Sequence, residues 1–201
     1  HIFEIKDNTS EITIENLHLT AGKSSGIVGF NGASFTVNNS TVDFNGESGV
    51  AVILNSSAII DDVEVRENVR NGLYVEDSDV TIMNCIIEDN NSSGIRVTGT
   101  AHARIGINII DDTGSNTING NSADGISVYN CADAFIYGNE ISENGGSGVD
   151  IANASARLVG KNTISGNRAN GVTVHRGGML MQGRGDFAIT PNHDSITENI
   201  R

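Results

Sequence analysis

A glycine followed by an aliphatic residue recurs along the chain at almost constant spacing. The pair begins at Gly26, Gly49, Gly72, Gly94, Gly125, Gly148 and Gly171, and the successive spacings are 23, 23, 22, 31, 23 and 23 residues. The longest spacing is one period of 23 plus eight residues, so a single loop insertion explains it. A fixed period of this length is typical of a repeat protein, in which each unit stacks on the next.

Three further columns of apolar residues align once these glycines are placed in register. Apolar and polar residues alternate at period two in each unit, which predicts short strands with one inward face and does not fit the spacing of a helix. One unit is too small to bury its own core, so stacked coils must share one. The predicted inward columns are Val52, Val75, Val97, Val128, Ile151 and Val174; Val37, Ile60, Ile82, Ile105, Ile136 and Val159; and Val42, Val65, Ile87, Ile118, Ile141 and Ile164.

An asparagine column follows the last apolar column at a constant distance of three residues. Because Asn tolerates left-handed backbone angles and stacked amides can bond from rung to rung, we expect an asparagine ladder at a tight turn. The glycine that opens each coil is expected to permit the turn that enters it. The predicted ladder consists of Asn45, Asn68, Asn90, Asn121, Asn144 and Asn167.

The segments "NGLYV", "DGISV", "SGVDI" and "NGVTV" open coils, and "I-x-x-N" closes them. This pattern resembles the right-handed parallel β-helix repeat proteins of pectate-lyase-like architecture. The resemblance covers nearly the whole chain and implies an all-β, right-handed parallel β-helix, a solenoid of about eight coils whose rungs lie about 4.8 Å apart. Residues 1–201 are then a single domain within a longer chain, with loop insertions near 107–115 and 183–194.

The charge balance disfavours one class of partner. The chain has 25 acidic and 12 basic residues, a net charge of −13, whereas a surface that binds nucleic acid needs clustered Lys and Arg. No apolar run approaches the roughly 20 residues of a membrane span, so membrane insertion is not expected. The acidic composition suits a secreted or cell-surface protein.

The two cysteines, Cys85 and Cys131, are too few for a disulfide scaffold and are expected to be free thiols packed inward.

Residues 145–152, "GGSGVDIA", come close to the glycine-rich nonapeptide that binds calcium in β-rolls. A site of that kind needs tandem nonapeptides, but the equivalent stretches of the neighbouring coils read "NSADGISV" and "NRANGVTV". We therefore interpret Gly148 as a coil-opening glycine and assign no metal ligands. Glu76, Asp77 and Asp79 leave a weak oxygen-ligand site for calcium open, without a specific motif, and no other cofactor is implied.

The outward positions of the strand that opens each coil contain the candidate functional residues. From the third coil onward these positions change from apolar to polar and aromatic. Aromatic rings stack on sugar rings, whereas carboxylates and Arg pair with hydroxyl or uronate groups, so these side chains suit a glycan. We predict Asp150 and His175 for proton transfer and Arg96 for anion neutralisation as catalytic residues, with Tyr74, Glu76, Tyr129 and Arg176 binding the substrate. The alternative is that this solvent-exposed face is polar for solubility alone.

The leading hypothesis is an extracellular carbohydrate-interacting module that binds or processes a polysaccharide along one outward sheet face. As an enzyme it would be a polysaccharide lyase, a glycoside hydrolase or an epimerase. The alternative is a non-catalytic structural or adhesive segment of a larger surface protein, with end-to-end or flanking-domain contacts at uncapped solenoid ends. The β-helix architecture hosts all these activities and does not choose between them.

Family motifs do not resolve the choice. Polygalacturonases would require G-H-G and R-I-K elements, and neither occurs in this chain. Alginate epimerases would require Tyr-Gly-x-Asp-Pro-His, whereas Tyr137-Gly138 is followed by Asn139-Glu140. The activity therefore has to be argued from side chains that the fold brings together.

Overall fold

A computed structural model describes residues 1–7, 12–106 and 113–182, together with the backbone of residues 188–189 and 196–198. The predicted insertions near 107–115 and 183–194 lie largely outside these described residues. The described chain forms short strands joined by turns and contains no helix. In chain order the strands are β1 (Phe3–Lys6), β2 (Ile12–Glu15), β3 (His18–Thr20), β4 (Ile27–Phe30), β5 (Ser34–Asp43), β6 (Val50–Ile53), β7 (Ser57–Arg66), β8 (Leu73–Glu76), β9 (Asp79–Met83), β10 (Ile86–Glu88), β11 (Ile95–Thr98), β12 (His102–Gly106), β13 (Thr117–Asn119), β14 (Ile126–Tyr129), β15 (Asp133–Tyr137), β16 (Glu140–Ser142), β17 (Val149–Ala152), β18 (Ser155–Val159), β19 (Thr163–Ser165), β20 (Val172–His175), β21 (Met179–Gln182), β22 (Ala188–Ile189) and β23 (Ile196–Glu198).

The strands pair in parallel with the equivalent strands of the coils above and below. The first sheet has the order β1-β4-β6-β8-β11-β14-β17-β20-β23. The second sheet has two walls, β2-β5-β7-β9-β12-β15-β18-β21 and β3-β5-β7-β10-β13-β16-β19-β22, because the long strands β5 and β7 run through both. The predicted fold class is thereby confirmed as an all-β parallel solenoid, with about seven turns against the predicted eight.

The inward columns form one continuous apolar core. The predicted Val and Ile positions in the first and third columns are buried, as are Val37, Ile60, Ile82, Ile105 and Ile136 in the second. The assignment of Val159 is wrong: Ile136 pairs with Leu158, which is 1% exposed, and Val159 lies opposite Tyr137 on the outer face. Ile136 and Leu158 are 22 residues apart, one fewer than the 23-residue period. A prediction that assumes a constant period therefore selects Val159 instead of Leu158.

The asparagine ladder is confirmed at the turn that closes each coil. Asn121, which is fully buried, donates from Nδ2 to Asn144 Oδ1 at 3.0 Å and to the Ile87 carbonyl at 3.0 Å. The same bonds recur between successive members of the column. A second ladder, at the bend between the two walls of the second sheet, joins Asn116, Asn139 and Asn162 and was not predicted.

The coil-opening glycines have a different role from the predicted one. The backbone φ of Gly125 is not in the left-handed region. A Cβ on Gly125 would instead lie 2.5 Å from Ile141 Cγ2 and 2.7 Å from the carbonyl oxygen of Gly148. Close packing between rungs therefore requires glycine here, since any side chain would overlap the next coil.

The two thiols occupy different environments. Cys85 is buried, as predicted, at the end of the second asparagine ladder, where its amide donates to Asn116 Oδ1 at 2.9 Å. Cys131 is exposed, and the prediction of an inward thiol is wrong for it. The cause is a turn after β14, in which Asn130 and Cys131 both have left-handed backbone angles, with φ of 54° and 71°.

Within the described chain, no helix is long and apolar enough to cross a membrane.

Candidate functional site

The register of the first sheet aligns the predicted site residues on one outward face. Tyr74 lies opposite Arg96 on the neighbouring strand, and Arg96 lies opposite Ser127. Ser127 is opposite Asp150, and His175 is two positions further along the next strand, opposite Ala152. Neighbouring strands lie about 4.8 Å apart, so these side chains span adjacent rungs.

Asp150 is the centre of a cluster of three predicted residues. The Tyr129 hydroxyl donates a hydrogen bond to Asp150 Oδ2, and His175 Nε2 lies 3.2 Å from Asp150 Oδ1. Asp150 is only 8% exposed. The His175–Asp150 contact does not have hydrogen-bond alignment, and both atoms are buried without a hydrogen-bond partner among the described residues. Buried polar atoms left in this way are costly to stability and are typical of functional sites.

Arg96 is held beside this cluster by an aromatic ring. Its guanidinium carbon lies 5.0 Å from the centroid of the Tyr129 ring, which is a cation–π contact. Tyr129 was predicted to stack on a sugar, but Arg96 lies over its ring and its hydroxyl is bonded to Asp150. This geometry favours a positioning role for Tyr129 and leaves Tyr74 as the aromatic candidate for sugar contact.

A half-buried carboxylate, Asp124, adjoins the cluster and was missed in the sequence. Asp124 accepts hydrogen bonds from the Ser147 amide at 2.8 Å and from the Ser127 hydroxyl at 3.0 Å. Burial raises its pKa and the negative charge of Asp150 adds to the rise, whereas the bonds from Ser147 and Ser127 and the charge of Arg96 oppose it. A signal was present, because the residue before each coil-opening glycine is Ser or Asn in every other coil and Asp only here.

Both tyrosines of this face remain protonated at neutral pH. Burial raises the pKa of Tyr129, and its hydrogen bond to Asp150 and the negative charge of that carboxylate raise it further. Burial also raises the pKa of Tyr74, with a further contribution from the Glu76 carboxylate, against the opposing charge of Arg96. These phenols are therefore hydrogen-bond donors rather than bases.

The remaining predicted residues lie apart from the Asp150 cluster. Glu76 is beside Tyr74 on the same strand, two rungs from Tyr129. Arg176 is exposed in the turn after β20 with a φ of 51°. Asp77 is one of the three residues of the possible calcium site, and its Oδ1 accepts a hydrogen bond from the Thr100 amide at 2.8 Å. Among the described residues, no three His, Cys, Asp or Glu side chains come together as a metal site, and calcium binding stays a prediction.

An open groove of about 870 Å³ continues along the same face toward the N-terminus. It begins at Arg96 and Tyr74, and its floor becomes apolar beyond them. The outward residues of the preceding rungs form that floor: Val28, Phe30, Ala51 and Ile53. The first sheet thus combines a polar, partly buried cluster with an open groove that continues along the same face.

Two solved structures share this fold. The A-module of the mannuronan C-5 epimerase AlgE4 from Azotobacter vinelandii aligns with a TM-score of 0.64 and 15% identity, over 96% of this chain and 66% of that one. The periplasmic alginate epimerase AlgG aligns with a TM-score of 0.58 and 15% identity, over 81% of this chain and 51% of that one. The chain thus spans 66% and 51% of the lengths of these two proteins. At this identity the likeness shows the fold.

Sequence comparison identifies the family. No curated protein matches the chain. The family model for a right handed beta helix region matches residues 3–115 and 101–193. Together the two matches cover almost the entire chain, and they agree with the parallel strand order and the stacked asparagines described above. The chain therefore belongs to the right-handed β-helix family.

Proposed function

We propose that this protein binds an acidic polysaccharide across the outward face of the first sheet and transfers a proton at a uronate residue beside Asp150. The observation that carries the proposal is the cluster in which the Tyr129 hydroxyl and His175 both contact the nearly buried Asp150 carboxylate. A carboxylate and an imidazole side by side can take up and return a proton near neutral pH.

The chemistry follows from the positions of the charges. The proton on the carbon next to a sugar carboxylate is acidic only if the charge that develops on that carboxylate is neutralised. Arg96, fixed over the Tyr129 ring, is the cation that would do this. His175 or Asp150 would remove the proton from one face of the carbon and pass it to solvent, and a proton delivered from solvent to the opposite face would invert the configuration at that carbon. Loss of the neighbouring glycosidic oxygen instead would cleave the chain.

The structural neighbours support the substrate class. Both are named as epimerases, one of mannuronan and one of alginate. A C-5 epimerisation is a proton exchange at the carbon that bears the carboxylate, which is the reaction outlined above. The absence of the Tyr-Gly-x-Asp-Pro-His element argues that any such reaction here uses a different arrangement of residues. The neighbour described as periplasmic also supports a location outside the cytoplasm.

Proton NMR in D₂O tests this proposal. The protein is incubated with polymannuronate, polygalacturonate and a neutral polysaccharide, with calcium and with a chelator. Exchange at the carbon next to the carboxylate, new vinylic protons and new reducing ends distinguish epimerase, lyase and hydrolase in one experiment. We expect exchange or elimination on a uronate polymer and none on the neutral one.

Matched variants assign the chemistry to the cluster. Asp150→Asn and His175→Gln should each lower the rate by about 100-fold or more, the usual contribution of a general acid or base. Glu140→Gln removes one negative charge from an exposed position on the second sheet and should keep the full rate. If no spectrum changes on any substrate, proton transfer is excluded, and the scaffold alternative becomes the better account of the fold.

A further inference from the structure

The second sheet has its own row of outward side chains, defined here as the arginine row. Thr81, Arg104, Phe135 and Arg157 lie opposite one another on β9, β12, β15 and β18. Each rung adds about 4.8 Å, so the Cα atoms of Arg104 and Arg157 are about 9.6 Å apart with Phe135 between them. An aromatic side chain flanked by two guanidinium groups is thus built into three consecutive rungs.

The aromatic part of this row is a firm platform. The rings of Phe135 and Tyr137 are 6.5 Å apart at an interplanar angle of 20°, so their faces point in nearly the same direction. Both side chains are half-buried, and the inward residues between and beside them, Ala134 and Ile136, are fully buried. The core therefore fixes the strand that presents the rings. A pair of nearly parallel rings suits stacking on a sugar ring.

The two arginines are exposed and lack ionic partners. Neither guanidinium forms an ion pair or a hydrogen bond with a described residue. Arg66, on the other wall of the same sheet, instead pairs with Glu64 at 2.7 Å. In a chain with 25 acidic and 12 basic residues, these two arginines lie two rungs apart on one face, each without an ion pair to a described residue. Their positive charge is available to an anionic ligand.

A second row, the acidic row, lies on the same strands two residues earlier. It consists of Asp79, His102 and Asp133, which are again in register. Along a strand, two residues span about 6.6 Å, so the two rows form the sides of one shallow strip. A groove of about 1020 Å³ covers both rows. Carboxylate and imidazole groups accept hydrogen bonds from hydroxyls, whereas guanidinium groups bind carboxylates.

From these contacts we infer that the groove on the second sheet is a binding site for an acidic polysaccharide that runs across the strands. One sugar ring lies on Phe135, the carboxylates of neighbouring uronate residues meet Arg104 and Arg157, and hydroxyl groups of the chain meet the acidic row. A nucleic acid fits poorly, because the acidic row would face its phosphates. The site is on a different sheet from Asp150, so it holds the polymer without reacting with it. The inference rests on its own contacts and does not require catalysis at the first sheet.

Amide chemical shifts of the isotope-labelled protein test this site separately from the first sheet. The probe is an oligogalacturonide, titrated at low and at physiological ionic strength, with a neutral oligosaccharide of equal length as the reference. Shifts on β12, β15 and β18 report the second sheet, and shifts on β11, β14 and β17 report the first. We expect saturable shifts at the second sheet with the uronate ligand and none with the neutral one.

The double variant Arg104→Gln/Arg157→Gln should weaken binding at the second sheet about tenfold or more, since two charge-assisted contacts are lost. The control Lys23→Gln/Arg168→Gln removes the same charge from two exposed positions elsewhere and should bind as the wild type does. Asp150→Asn should leave second-sheet binding unchanged. Equal weakening in both double variants, tighter binding of an acidic peptide or oligonucleotide, or an absence of second-sheet shifts would overturn the inference.

Discussion

At the scale of single residues, the outward face of the first sheet differs from an ordinary polar surface in one respect. Its charged groups are partly buried and contact one another: Asp150 contacts Tyr129 and His175, and Asp124 accepts two hydrogen bonds nearby. A face selected only for solubility would place such charges in water, where they cost nothing. Two substitutions measure how much this arrangement lowers or raises the stability of the folded protein.

The first change is Asp124→Asn. The pKa of Asp124 in the folded protein is raised above its ordinary value of 3.8, mainly by burial, so its contribution to stability is fully present below that value and is lost as the pH rises through the folded pKa. Above its folded pKa the wild type therefore contains an unfavourable, half-buried charge that the amide lacks. We expect the variant to melt a few degrees higher at pH 7, and the difference to vanish near pH 3. An equal or lower melting temperature at pH 7 would contradict this account.

The second change is Tyr129→Phe, which removes the donor to Asp150 and leaves a carboxylate oxygen at a nearly buried position without its partner. We expect a loss of about 1–3 kcal/mol in the free energy of unfolding, measured by urea denaturation. Tyr74→Phe is the control, because the Glu76 carboxylate that it leaves is half-buried and can be hydrated; it should cost about 0.5 kcal/mol or less. Equal costs would show that the Tyr129–Asp150 bond is not made in solution.

At the scale of elements, the ladders connect coils that are distant in sequence. Each buried amide bridges one coil to the next and also satisfies carbonyl groups at the turn. The side chain of Asn121 accepts from Asn90 and donates to Asn144, Ile87 and Asn119, all within 3.2 Å. The strands are mostly only a few residues long. The asparagine column therefore adds hydrogen bonds between coils at the turns, where the backbone ladders of the sheets stop.

Asn121→Ala removes all of these bonds at once in the middle of the ladder. Several buried donors and acceptors would lose their partners, at about 1–3 kcal/mol each, so we expect unfolding to become easier by about 3 kcal/mol or more. Asn91→Ala changes an exposed asparagine at the same turn of the preceding coil and should cost about 0.5 kcal/mol or less. Urea denaturation of both variants gives the comparison. Similar midpoints would mean that the ladder adds little to stability.

At the scale of the whole molecule, the excess of acidic over basic residues makes the surface charge repel itself. With a net charge of −13, acidic groups repel one another across the solenoid surface. Sodium chloride shortens the range of that repulsion, from about 30 Å at 0.01 M to about 3 Å at 1 M. We expect the melting temperature to rise by several degrees over this range.

Calcium and magnesium at equal ionic strength distinguish screening from binding. Equal melting temperatures in the two salts are expected if the divalent ions only screen charge. A rise specific to calcium would instead indicate an oxygen-ligand site and would return attention to Glu76, Asp77 and Asp79.

The repeat pattern alone determined the architecture. A strict period and the alternation of Val, Ile and Leu with polar residues are local properties, and stacked short strands are the arrangement that buries them all. The inward columns, the first asparagine ladder and the set of residues on the outer face of the first sheet were therefore predictable. Val159 and Cys131 were not, because a coil one residue short and a two-residue left-handed turn change the direction of a side chain without breaking the pattern.

Only the tertiary structure decided which outward residues meet. Asp150 and His175 were both predicted for proton transfer, but their contact and the bond from Tyr129 depend on side chains that lean across rungs. The same holds for Asp124 and for the arginine row on the second sheet, whose members come from different coils. The physical reason is that burial of apolar surface determines the direction of an inward side chain, and the apolar periodicity of the sequence shows where this happens. An outward side chain is fixed by neighbours that are more than 20 residues away in the chain and by charges that no local pattern contains.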